Sequence, residues 1–266
     1  MNATVKKRIE EIKLQGYNID FGDVFNQTIE NYKKIAMYGG LVLFIFFVVF
    51  ILGLAGIFSI VLGTEEAITV LKPENLKLDN LDLYGLLILS LVSIVIGTLL
   101  SPFMAGLLKM AHNADKDEEF HVSTMFHYYK ASYFQEIIIV TLVLGILKGA
   151  ISVAINYAEI PLLGDLLSGI ISFFTLLTIP LIVFGNVKAI DAIKNSISIV
   201  SKQPFILLGL LVVSFVAVCL GIFGCCIGIF FTLPFAYSMS FIIYKYIIGF
   251  PEKEEEEVPT NFETLS

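Results

Sequence analysis

Apolar residues fall in long unbroken runs along this chain, and polar residues gather in short blocks between them. Six runs, 36–62, 83–108, 137–158, 162–185, 204–223 and 227–249, match the 20 or so helical residues needed to cross a hydrocarbon core about 30 Å thick. Phe205 to Tyr244 contains no charged residue and is twice the length of a span, with Gly221-Ile222-Phe223-Gly224-Cys225-Cys226 near its middle, a segment suited to a tight turn. Asn156-Tyr157-Ala158-Glu159-Ile160-Pro161 marks a second short turn, between the third and fourth runs. In hydrocarbon a lone segment satisfies its backbone polar groups only as a helix. The pattern therefore predicts an all-α polytopic membrane helix bundle, with about six transmembrane helices arranged as three hairpins.

A different periodicity precedes each odd-numbered span. Val24, Phe25, Thr28, Ile29, Tyr32 and Ile35 recur at three- and four-residue steps, as do Met125, Phe126, Tyr129 and Tyr133, and again Ile193, Ile197 and Val200. This is the signature of amphipathic helices lying at the membrane interface. Asp23, Ser123 and Asp191 stand at the expected N-caps. Each even span carries a proline, Pro102, Pro180 or Pro234, in its cytoplasmic half. A proline inside a helix frees a carbonyl and kinks the axis. Three kinks at similar depth suggest a threefold repeat opening a central crevice, and the plainer reading is that proline is common in membrane helices. The chain divides into a cytoplasmic amphipathic N-terminal segment (1–35), a six-span domain (36–249) and an acidic cytoplasmic tail (250–266) expected to be disordered.

Composition agrees with a bilayer as solvent: 57% of the 266 residues are hydrophobic and 15% are charged, with a mean hydropathy of +0.86, where soluble domains carry about 25% charged residues. The net charge of −7 owes much to the run from Glu252 to Glu257 and says little about a partner. With one arginine, Arg8, and no basic patch interleaved with aromatics, nucleic acid is not an expected partner. Lys and Arg placement sets the orientation. Fourteen lie before span 1, in the 2–3 and 4–5 loops and at the C-terminal end, against Lys72 and Lys77 on the other side. Basic residues stay in the cytoplasm, so both termini are expected there. No cleaved signal peptide is expected, because residues 1–35 lack an apolar core and the first apolar run is too long for one.

Few residues invite chemistry. His112, His121 and His127 fall in one predicted cytoplasmic loop with Asp115, Asp117, Glu118 and Glu119, a ligand set that suits zinc or non-haem iron but matches no local metal motif. Cys219, Cys225 and Cys226 read as small packing residues, with a vicinal disulfide or redox role as the alternative. Lys148 lies halfway along span 3. A charge at that depth costs about 2.5–3.5 kcal/mol and turns toward protein, water or the interface. Asp165 on the next span is its nearest candidate partner, giving a candidate intramembrane charged site of Lys148 and Asp165, either a structural pair, a snorkelling lysine or part of a solute path. There is no Walker loop, no G-x-S-x-G elbow, no dinucleotide fingerprint and no C-x-x-C.

The lead-in from Phe25 to Ile35, the entry Ala189-Ile190-Asp191-Ala192-Ile193 followed by Lys202-Gln203-Pro204-Phe205, and the final Leu233-Pro234-Phe235-Ala236-Tyr237 together resemble a broad group of bacterial six-span membrane proteins. The group includes the membrane domain attached to some glycerophosphoryl diester phosphodiesterases, and the resemblance covers most of residues 20–250. In those enzymes a soluble domain does the chemistry, so the resemblance implies a membrane fold and little about activity. The expectation is a multi-pass protein of the bacterial cytoplasmic membrane, non-enzymatic, with a lipid-binding, transport-related or assembly role and no cofactor. Its expected partners are membrane lipids, other membrane proteins or a second copy of itself. The alternative is a membrane enzyme using the histidine loop with a metal.

Overall fold

Hydrocarbon offers a backbone amide no water to bond, and the apolar runs of this chain form helices. The computed structural model describes residues 3–63, 82–130, 133–158, 160–224 and 227–250. Among these residues there is no strand. The helices are α1 (Ala3–Gln15), α2 (Phe21–Leu62), α3 (Leu83–Asp115), the single turns α4 (Val122–Met125) and α5 (His127–Lys130), α6 (Phe134–Tyr157), α7 (Pro161–Phe174), α8 (Thr178–Val183), α9 (Ala189–Val200), α10 (Pro204–Leu220) and α11 (Gly228–Ile247). A 3₁₀ turn at Gly221–Phe223 follows α10. The predicted acidic tail, the outer loop 64–81 and Cys225 and Cys226 lie outside the described residues.

Five stretches are long and apolar enough to cross a membrane: Phe21–Ile57, Leu83–Asp115, Phe134–Tyr157, Leu162–Val183 and Pro204–Phe223. The protein is an all-α, multi-pass membrane bundle. The sixth predicted span forms α11, 20 residues and about 30 Å long at 1.5 Å per residue. It faces protein: Phe235, Ser238, Met239, Phe241, Ile242, Ile243 and Tyr244 are all buried. Helices α2, α10, α3 and α8 pack around it, with α2 its main partner. The outer helices turn leucines and phenylalanines outward, among them Leu91, Leu99, Ile146, Phe205 and Phe215. So much exposed apolar surface is intolerable in water and ordinary against lipid tails.

Three expectations about the flanking segments need correction. The first lead-in is not a separate interfacial helix. It continues unbroken into span 1 as the 42-residue α2, so the boundary expected at residue 35 falls inside a helix. Its apolar face meets protein instead of the interface: Val24, Thr28, Asn31 and Ile35 are buried, Asn31 Nδ2 donates to the Ala111 carbonyl (2.7 Å) and Ser238 Oγ donates to Asn31 Oδ1 (2.8 Å). With its periodic face already filled by α3 and α11, the helix gains nothing by bending into the membrane plane. The second lead-in forms only the turns α4 and α5. Gly106 sets how close they come, since a Cβ there would stand 2.5 Å from the Met125 Cα. The N-caps also differ. Asp20 caps α2, His121 precedes α4, and Lys188 precedes α9, whose first free amide, Ala189 N, donates instead to Glu136 Oε2 of α6 (2.7 Å).

Helix α1 was not expected at all. Its Val5, Ile9 and Ile12 are buried at one end of the bundle. There Arg8 Nε donates to the Ile247 carbonyl (3.0 Å), a cation at the C-terminus of α11, and Lys13 Nζ donates to Asn195 Oδ1 (2.7 Å). The first and last described helices thus meet at the same end, where Lys245 also pairs with Asp115 (2.6 Å) and Lys34 with Asp117.

The fourth span is broken. Between α7 and α8 the residues Thr175–Leu177 leave the helix, ending three residues before Pro180. Ser196 of α9 fills the gap: its hydroxyl donates to the Phe174 carbonyl (2.8 Å) and accepts from Leu177 N (3.1 Å). A non-helical backbone at membrane depth requires such partners.

Candidate functional site: an intramembrane cleft around Lys148

Helices α3 and α6 approach closely because small residues line their crossing. Gly145 and Gly149 of α6 form a G-x-x-x-G pair against Ser90 and Ile94 of α3, and a Cβ on Gly149 would lie 2.6 Å from Ser90 Oγ. Small residues at this spacing let membrane helices pack backbone to backbone. Away from the contact the helices leave a cleft of about 380 Å³, completed by Ser168 of α7. Its polar lining is Ser90, Ser93 and Thr98 from α3 and Thr141, Lys148, Ser152 and Asn156 from α6. Asn156 Nδ2 bonds the Ser152 carbonyl (2.7 Å) and Thr141 Oγ1 the Ile137 carbonyl (2.8 Å), which holds both residues to their own helix.

Lys148 is half-buried in this cleft, and its Nζ donates to Ser172 Oγ of α7 (2.8 Å). Ser172 Oγ in turn donates to the Ser168 carbonyl (2.8 Å). An ammonium has three donors, and among the described residues Lys148 has no carboxylate partner. Thr98 is only 6% exposed, and its hydroxyl has no hydrogen-bond partner. The cleft therefore holds one cation and a buried hydroxyl, both with capacity to spare.

Asp165 does not join Lys148. In the α6–α7 hairpin Lys148 and Ser172 lie at matching distances from the turn, while Asp165 is seven residues nearer to it, about 10 Å along the axis. Asp165 is exposed and lines a separate groove with Leu166, Gly169, Ile170, Leu208 and Phe215, between α7 and α10. That groove measures about 850 Å³ and is almost wholly apolar in lining.

Pro102, Pro180 and Pro234 are buried. Pro180 itself, Ser101 and Leu233 (the neighbours of the other two), with Met104, Leu108 and Tyr237, line a central cavity of about 520 Å³. The histidines scatter. His112 packs among Phe184, Phe241 and Phe250, His121 precedes α4 and His127 lies against Tyr128. Desolvation, and secondarily the ammonium of Lys109, lowers the pKa of His127. Among the described residues no three His, Cys, Asp or Glu side chains converge on a metal position. Cys219 is a free thiol.

Sequence reasoning found Lys148 but missed the rest of its cleft. The signal was present as polar residues at helical steps on otherwise apolar spans: Ser90, Ser93 and Gly97 on one, Thr141, Gly145, Lys148, Ser152 and Asn156 on the next. Compared with family models, curated proteins and solved structures, the chain finds no match.

Proposed function

We propose that this multi-pass membrane protein is non-enzymatic and holds an anionic group inside the membrane at Lys148, in a lipid-binding or transport-related role. The carrying observation is an ammonium in a hydroxyl-lined cleft that bonds one serine and, among the described residues, no carboxylate. A cation at this depth costs about 2.5–3.5 kcal/mol, and a bound phosphate or carboxylate offsets that cost where Ser172 alone does not. Ser90 and Ser93 line the same cleft and offer hydroxyls to the same anion. In this reading the end that carries α1 and the C-terminus of α11 faces the cytoplasm of a bacterial cell. The fourteen lysine and arginine residues assigned to that side support the orientation.

The test is thermal unfolding of the full chain in mild detergent, with an anionic phospholipid, a zwitterionic phospholipid or inorganic phosphate added. The anionic species raise the Tm of the wild type and of Lys148→Arg, and leave Lys148→Met unmoved. An equal rise in Lys148→Met overturns the reading.

A further inference from the structure

The Lys148 cleft is not closed. Gly97 and Thr141 line both the cleft and the central cavity, and Ala236 lines both the central cavity and the α7–α10 groove. The three spaces, about 380, 520 and 850 Å³, therefore adjoin one another in order, the cleft beside the centre and the centre beside the groove. Polarity falls along the way. The cleft presents serines, threonines, an asparagine and the ammonium, the central cavity mixes Met104, Leu108, Leu176 and Ile179 with Ser240 and Tyr237, and the groove is walled by Leu166, Ile170, Phe173, Leu208, Leu211 and Phe215.

From this gradient we infer that the anion at Lys148 is the head group of an amphiphile, with a hydrocarbon tail that passes through the centre beside Pro180 and lies in the α7–α10 groove. The inference rests on the proposed role of Lys148 and goes further, because it fixes the ligand class. A chain of waters would not suit the groove, whose lining is almost wholly apolar, since a buried water needs two to four polar partners. Thr141 and Ser101 at the centre are already bonded to their own helices, to the carbonyls of Ile137 and Thr98 (2.8 Å each). A hydrocarbon tail asks for no such partners. Helix α7 packs on α6 and leaves its α10 side open over the groove, which gives a membrane lipid a lateral way in. Tail and surrounding lipid are equally apolar, so the tail gains shape-matched contact and no transfer energy. Tail length should therefore matter until the groove is filled and not beyond.

Two glycines allow a direct test. A Cβ at Gly97, where cleft meets centre, or at Gly169 in the groove, has no atom within 4 Å, so a larger side chain fits and fills the space. Retention of hexyl phosphate, hexadecyl phosphate and inorganic phosphate is measured by native mass spectrometry on the full chain, with thermal shift in parallel. The wild type holds hexadecyl phosphate most tightly. Gly97→Leu and Gly169→Phe weaken it by about tenfold, toward the value for hexyl phosphate, and Gly169→Phe, which lies outside the cleft, leaves hexyl phosphate unchanged. Thr141→Leu repeats the junction test should Gly97→Leu fold poorly. Equal retention of all three phosphates by the wild type, or undiminished hexadecyl phosphate in the filled variants, overturns the threaded tail while leaving the anion site standing. Lys148→Met separates the two ideas: it loses the phosphates altogether if the head-group reading holds, and unchanged retention there removes both.

Discussion

Ser196 joins two stretches of chain that the membrane would otherwise penalise. Its hydroxyl is fully buried, and it is the only partner among the described residues for both the Phe174 carbonyl and the Leu177 amide at the break. Ser196→Ala is expected to destabilise the protein by about 1–3 kcal/mol, the usual cost of leaving buried polar groups unsatisfied. Ser196→Thr, which keeps the hydroxyl, should lose much less, and unfolding in a graded denaturing detergent measures both. An alanine variant as stable as the wild type would mean that the break is bonded some other way. Lys148 shows what a single residue reveals from sequence and what it hides. Its charge in an apolar run marks it without any structure. Its partner was hidden because sequence alone points to a charge on the next span, Asp165, whereas Lys148 bonds the neutral Ser172 across the hairpin.

At the scale of helices, the α3–α6 crossing depends on Gly149 more than on any long apolar side chain. Gly149→Leu forces a side chain into Ser90 and Ile94 and should cost about 1–3 kcal/mol, as overpacking does. Gly97→Leu, on the same cleft with open space around it, should cost little. If the two variants prove equally stable by thermal unfolding, the crossing is looser than its geometry implies. The helices themselves were readable because apolar runs, turn residues and span length agree: α6 ends at Tyr157 and α7 begins at Pro161, within the predicted turn, and the 3₁₀ turn Gly221–Phe223 ends α10 where the glycines stand. The lead-ins were misplaced for a physical reason. An amphipathic face reports that one side is buried and does not say whether lipid or protein buries it. Met239 and Ser238 of α11, more than 200 residues away in sequence, cover the face of α2. Helix α1 was overlooked because its buried Val5, Ile9 and Ile12 stand among lysines and glutamates, although their spacing is helical.

For the whole molecule the question is which end faces the cytoplasm. Both described termini gather at one end, tied by the Arg8 bond to Ile247. A reporter active only in the cytoplasm, fused after Ser266 or inserted at His121, should work, and one at Asn75 should stay silent. Activity at Asn75 would reverse the orientation inferred from the lysines.

The dominance of the α2–α11 contact also sets a timetable for biosynthesis. Helix α2 leaves the ribosome among the first elements and α11 among the last, with residues 63–227 made in between. At roughly 5–20 residues per second, the first span waits about 10–40 s for its main partner. Throughout that interval Asn31, which ends up bonded to Ser238, faces lipid or the insertion machinery with its side-chain acceptor unfilled. A nascent chain stalled before residue 228 therefore lacks both the hydroxyl that fills Asn31 and the helix that packs most heavily on α2.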